Sequence, residues 1–183
     1  MITLATTNGG FYKLCLVLHI LCAIVGFGAV FLNGIYGQQM KVRMQSGRGA
    51  EAIGIFEANL AVSKIGEYFI YAVFIFGFAL LGLSNSVWGF SQTWIWLSIV
   101  LYVVGIGLSH GVLMPTVKRM GVLMREMLAG PPPNGSVPEP TAGGPPPQAV
   151  EMEALGKKLG VVGPVLNLIL ITILFLMVWK PGL

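Results

Sequence analysis

Few side chains in this sequence have chemistry to offer, and most of them lie in apolar surroundings. Cys15, His19 and Cys22 fall at i, i+4 and i+7, which puts two sulfurs and an imidazole on one helical face, about one turn apart. Such soft donors could hold Cu(I) or contribute to a haem edge, although cysteine in an apolar run also reads as a small buried hydrophobe. One helix cannot close a coordination sphere, so a metal there needs donors from elsewhere. His110, in the segment Ser-His-Gly, joins His19 as a candidate cofactor ligand, because helix bundles hold haem between facing side chains. Alternatively, each imidazole hydrogen-bonds a neighbouring helix. Asn33 and Asn167 are the notable intramembrane amides, and Glu67 is the acid at a span boundary. Polar groups placed in hydrocarbon are costly enough to start any functional search.

The elements carrying these residues are expected to be membrane helices. In 183 residues, 55% are hydrophobic and 10% charged, and mean hydropathy is +0.81, which directs the reading toward lipid as solvent. Spans are expected at about residues 14–35, 66–84, 94–115 and 160–179, each of roughly the 20 residues a bilayer core requires. Residues 1–12 lack Lys and Arg and the apolar run that follows is too long for a signal segment, so the first span is expected to be retained. Ser84 to Thr93 supplies a turn that is expected to make spans two and three a tight hairpin, flanked by Trp88, Trp94 and Trp96 as interfacial aromatics. The predicted class is all-α: a polytopic membrane protein, a four-transmembrane-helix bundle with cytoplasmic helix extensions, in a single membrane domain over residues 1–183.

Basic residues orient the bundle. Lys41, Arg43, Arg48 and Lys64 fall between spans one and two, and Lys118, Arg119, Arg125, Lys157 and Lys158 between spans three and four, against Lys13 and Lys180 on the other side. Both basic loops are therefore expected inside and both termini outside. Counted from the outer ends, His19 would lie about five residues deep, roughly 8 Å, and His110 about sixteen, roughly 24 Å. Two axial nitrogens on one iron sit about 4 Å apart, given metal–nitrogen bonds near 2 Å, and tilts of about 20° cannot absorb that difference. One haem shared by both histidines is not expected. Single ligation at His19, or unrelated roles for the two rings, is.

Beyond the spans, Ile53, Phe56, Leu60 and Lys64 recur at helical spacing, so span two is expected to begin as a helix outside the bilayer. After a kink at Pro115, Val117, Met120, Met124 and Leu128 share a second amphipathic face. Residues 130–148, bracketed by two triple prolines, read as an extended linker inside the cell. Met40 to Met44 and Val117 to Met120 share a basic pattern after spans one and three, a faint echo of duplication about an axis along the membrane normal. Gly26, Gly28, Gly105, Gly107 and Gly111 would let helices approach closely or a flat cofactor lie against them. Neither a phosphate-binding glycine loop nor a metalloprotease or serine-hydrolase motif is present, and the juxtamembrane position of the basic residues leaves no role for nucleic acid.

The segment Lys13 to Tyr36, with Leu18-His19-Ile20-Leu21 followed by Val25-Gly26-Phe27-Gly28 and Phe31, resembles the first helix of a group of small bacterial four-helix membrane proteins. The group comprises copper-resistance D-like proteins, the haem-containing four-helix protoporphyrinogen oxidase and a predicted integral membrane family of unknown function. Length, span number and basic inner loops resemble the last of these best. The resemblance implies a bacterial inner (plasma) membrane location and, carried over to one residue, a ligand role for His19 toward haem b or copper. The tryptophan often found near Val-Gly-Phe-Gly is absent, as is a match to the oxidase's later lysine region. The expected function is thus a haem-binding or copper-handling, redox-associated membrane protein. The alternative is a non-catalytic accessory or structural subunit of a larger membrane complex, contacting partner subunits through the proline-rich loop and inner helices. A transporter would require a homo-oligomer, because four spans enclose no pathway alone.

Overall fold

The structure is a computed structural model; it describes residues 9–129 and 147–181, and every regular element among them is a helix. These are α1 (Gly10–Gln45), α2 (Gly49–Leu83), α3 (Thr93–Leu108), a π-helical turn (Ser109–Leu113) leading straight into α4 (Met114–Ala129), and α5 (Pro147–Trp179). With α3 to α4 taken as one rod, four helical rods of 36, 35, 37 and 33 residues are long and apolar enough to cross a membrane. At 1.5 Å per residue each is roughly 50–55 Å long, against a hydrocarbon core of about 30 Å.

Each rod therefore extends past its apolar stretch. Hydropathy marks only that stretch, whereas the helix continues as long as its polar turns find packing or solvent. Hence α1 starts four residues before the expected span, α2 already at Gly49, and α5 at Pro147. Proline suits a first helical position, where its missing N–H would have had no partner. Residues 147 and 148, expected in the linker, are thus helical; residues 130–146 of that linker lie outside the described residues.

Packing separates two ends. At the basic end, Ala52, Phe56 and Met124 form a buried cluster, with Met40, Met44, Ile53, Val117 and Met152 packed around it. Gly121 is needed there: a Cβ on it would sit 2.7 Å from the Phe56 ring. Around this core run the ion pairs Arg43 with Glu51, Arg125 with Glu57, and Arg119 with Glu151. Arg119 grips Glu151 through two nearly parallel bonds of 2.7 and 2.8 Å, tying α4 to α5. The Arg119 guanidinium holds the Glu151 carboxyl below its usual range, and Glu151 raises Arg119 in return.

Along the apolar length, α1 and α2 lie closest. A Cβ on Gly26 would come within 3.1 Å of the Ile70 backbone nitrogen, and one on Gly66 would overlap the Ala29 methyl. Of the other glycines expected at close approaches, Gly105 would make ordinary contact with Ile169, while Gly28, Gly107 and Gly111 face open space. The turn joining α2 to α3 does not make them backbone neighbours: no Cα of one comes within 8 Å of a Cα of the other, and α3 packs on α5 instead. Aromatic side chains fill the interval, with Phe74 stacked on Tyr102 at 4.8 Å and in contact with Phe78 at 4.6 Å.

Pro115 produces a π turn rather than a break. Proline has no N–H to give and its ring crowds the carbonyl four residues back. Here Met114 N–H bonds to Ser109 O, five residues back, and Thr116 Oγ1 donates to the Val112 carbonyl at 2.6 Å. One extra residue in the ladder carries the helix through the proline, and such turns recur at functional sites.

Candidate functional site

Three polar constellations punctuate the apolar rods. At the hairpin end, the Trp88 indole N–H donates to Tyr12 Oη at 3.1 Å, and Lys180 Nζ lies 4.2 Å from the Trp88 ring centroid. The turn is pinned by the fully buried Ser84, whose Oγ accepts the Trp88 N–H. Asn85 and Ser86 take left-handed φ of 51° and 66°, a conformation asparagine tolerates and the wide reversal requires. Cys15 belongs to the apolar cluster with Tyr12 and Leu80, and both Cys15 and Cys22 are buried free thiols.

About a quarter of the way along α1 is His19. Its Nδ1 lies 2.9 Å from the Val73 carbonyl of α2; a carbonyl only accepts, so Nδ1 carries the proton and Nε2 presents the lone pair. The ring fits because residue 77 is glycine: a Cβ there would be 3.2 Å from His19 Cε1. Nε2 makes no hydrogen bond among the described residues, and it is not one of the sealed, unpartnered polar atoms, which are Asn59 Oδ1, Gln92 Oε1, Trp94 Nε1 and Asn167 Oδ1. A carbonyl on one ring nitrogen with the other left free is the arrangement that fixes the tautomer of metal-ligating histidines.

The third constellation combines α2 with the π turn. Tyr71 Oη donates to Glu67 Oε1 at 2.7 Å and lies 2.8 Å from His110 Nε2, which is itself 3.1 Å from the same Glu67 oxygen. His110 Nδ1 faces the Ile106 carbonyl at 3.1 Å. The sequence singles out His110 and Glu67 separately, and only the fold unites them and adds Tyr71. The available signal was the i, i+4 spacing of Glu67 and Tyr71 on one helix. Nearby, Ser63 donates to Asn33 Oδ1 at 2.9 Å, joining α2 to α1.

The two histidines contact different levels of α2. His19 meets Val73 and Gly77, and His110 meets Glu67 and Tyr71, an offset of about six residues, roughly 9 Å. This is less than the 16 Å expected, because the register of α1 on α2 sets His19 opposite Val73 and Gly77, deeper than a count from the end of the apolar run gives. The interval still exceeds the roughly 4 Å between axial nitrogens of one iron.

As a cofactor site, His19 offers one nitrogen. Among the described residues no group of three or more His, Cys, Asp or Glu side chains is placed to hold a metal ion, so Cys15, His19 and Cys22 supply no closed copper site. An apolar groove of about 350 Å³ runs along Ile24, Gly28, Leu32, Ile65 and Gly66, and His19 does not line it. The residues would hold a haem or a metal through one imidazole nitrogen of His19 and nothing more enclosed.

Among the described residues, fold and site together amount to four helical rods of membrane-crossing length and composition, bearing one free imidazole nitrogen and one carboxylate–phenol–imidazole cluster. No family model matches the chain, and no match was found among curated proteins or solved structures.

Proposed function

We propose that this chain is a multi-pass protein of the bacterial inner membrane, basic end inside and both termini outside, that presents His19 Nε2 as a single imidazole ligand to haem b or copper in redox-associated work. The observation that carries the reading is the Val73 carbonyl, which holds the proton on Nδ1 and leaves Nε2 free. Haem, when bound, supplies one-electron chemistry; the chain orients one ligand through Val73 and admits it through Gly77. Purification in mild detergent after haem-supplemented expression tests it. A Soret band, or stoichiometric copper, lost in His19→Ala supports the reading, and a colourless, metal-free preparation removes it.

Orientation has its own test: Ser91→Cys should react with an impermeant maleimide on intact cells, while Ser46→Cys should react only after lysis. A second reading, an accessory subunit of a larger membrane complex, is favoured by the separation of α2 from α3, which leaves side chains rather than backbones in contact between them. Gentle extraction from native membranes distinguishes it, since a chain recovered alone counts against it.

A further inference from the structure

The Glu67, Tyr71 and His110 contacts contain one hydrogen position more than the ordinary ionisation states supply. The Ile106 carbonyl can only accept, so the 3.1 Å contact places a proton on His110 Nδ1. A neutral imidazole with that proton has a bare lone pair on Nε2. Yet Nε2 faces Glu67 Oε1 at 3.1 Å and Tyr71 Oη at 2.8 Å, and Tyr71 Oη faces the same Glu67 oxygen at 2.7 Å. These three atoms form a closed triangle with only the phenolic proton to share. With Glu67 ionised and His110 neutral, the phenolic proton can lie on the Glu67 edge or the Nε2 edge, and in either case the Nε2–Oε1 edge sets a lone pair against a lone pair. One added proton resolves it: placed on Nε2, it donates toward Glu67 and Tyr71 Oη while Tyr71 donates to Glu67.

We propose that Glu67, Tyr71 and His110 form a binding site for one proton, held between carboxylate and imidazole and bridged by the phenol. Uptake converts a cluster of charge −1 into a neutral ion-paired one; release returns the proton to water or to a neighbouring acceptor and leaves the Nε2–Oε1 edge repulsive. This site is independent of His19 and of anything His19 ligates. Its setting gives protonation something to act on. Because α2 and α3 share no close backbone contact, they are joined at this depth by the cluster, by Tyr102 Oη donating to the Ile70 carbonyl at 3.3 Å, and by the Phe74–Tyr102 stack. Losing the proton removes the Glu67–His110 ion pair from those ties. The side chains of Glu67 and His110 are 31% and 40% accessible, so the cluster is not sealed between the helices.

Few other charges bear on the cluster. On α2, Lys64 lies one turn toward the basic end and Tyr68 is adjacent; Tyr102 is the titratable group on α3, and Lys118 the nearest on α4. From α1 there is no titratable side chain between Cys22 and Tyr36, and from α5 none between Lys158 and Lys180.

The experiment is 15N NMR of the His110 ring in the full chain in lipid nanodiscs, followed across pH. In the wild type, both ring nitrogens should be protonated in the state that shows the Glu67 contact, and Glu67→Gln should change the proton affinity of His110 at least threefold. Tyr71→Phe, which keeps the ring and its packing, should change it in the same way more weakly. Identical His110 titrations in wild type and both variants would overturn the proposal. So would a wild-type His110 carrying one ring proton throughout the range in which Glu67 is ionised, a reading that requires no variant to fold.

Discussion

Phe56 and Gly121 meet so closely that their substitutions cannot be independent. Phe56 is 5% exposed within the Ala52–Met124 cluster, so Phe56→Ala should remove its burial and leave a cavity, at a cost of about 3–5 kcal/mol. Gly121→Ala alone forces a methyl to 2.7 and 2.8 Å from two Phe56 ring carbons, an overpacking cost of about 1–3 kcal/mol, reduced by the roughly 1 kcal/mol that alanine gains over glycine in a helix. In the Phe56→Ala background the ring is gone and the new methyl enters the vacated space. The helix-propensity gain is common to both backgrounds and cancels. The double variant should therefore be less destabilised than the sum of the single ones by about 1–3 kcal/mol. Reversible denaturation in mild detergent, followed by far-UV circular dichroism, measures all four corners of the cycle. Additivity within about 0.5 kcal/mol would show that the two residues do not touch as described.

Other expectations follow from the remaining contacts. Gly77→Leu should displace the His19 ring and shift its Nδ1 resonance toward that of an unbonded imidazole; an unchanged resonance would mean that the ring does not lie against α2 at this point. The Arg119–Glu151 clamp should stabilise the α4–α5 junction at neutral pH. Because the Glu151 carboxyl is held below its usual value of about 4.3, that contribution is present above the unfolded value and lost as pH falls through the folded one. The melting difference between wild type and Glu151→Gln should thus be level near neutrality and close only in acid; a difference insensitive to pH would refute the clamp. Tyr12→Phe removes the acceptor of the Trp88 indole N–H and should lower stability by about 0.5–1.5 kcal/mol, with a blue-shifted Trp88 emission if the indole then loses its polar partner.

The apolar stretches were legible in the sequence because each is continuous and bounded by charges or aromatics, and those features depend on no distant residue. Helical extension at the basic end was legible as well: Phe56, Met120 and Met124 carry the helical period and are buried, whereas Leu60 and Leu128 of the same expected faces are exposed. Helix limits were not, since Gly10 and Pro147 begin helices whose first turns are stabilised outside the hydrophobic pattern. The Pro115 signal was present, but whether proline breaks a helix or is absorbed in a π turn depends on which carbonyl the surrounding packing leaves free.

The sequence by itself determined four apolar helices, their order, the short list of polar residues within the apolar stretches and the clustering of cations at one end, because hydropathy, charge and periodicity are properties of neighbours along the chain. Tertiary structure alone decided that His19 binds the Val73 carbonyl with Nε2 left free, that His110 joins Glu67 and Tyr71, and that α3 packs on α5 rather than beside α2. The physical reason lies in the rotation and depth of each rod. Close approach at Gly26 and Gly66, bulky aromatics between α2 and α3, and one extra residue in the turn before Pro115 set those quantities, and none of them can be summed from one helix at a time.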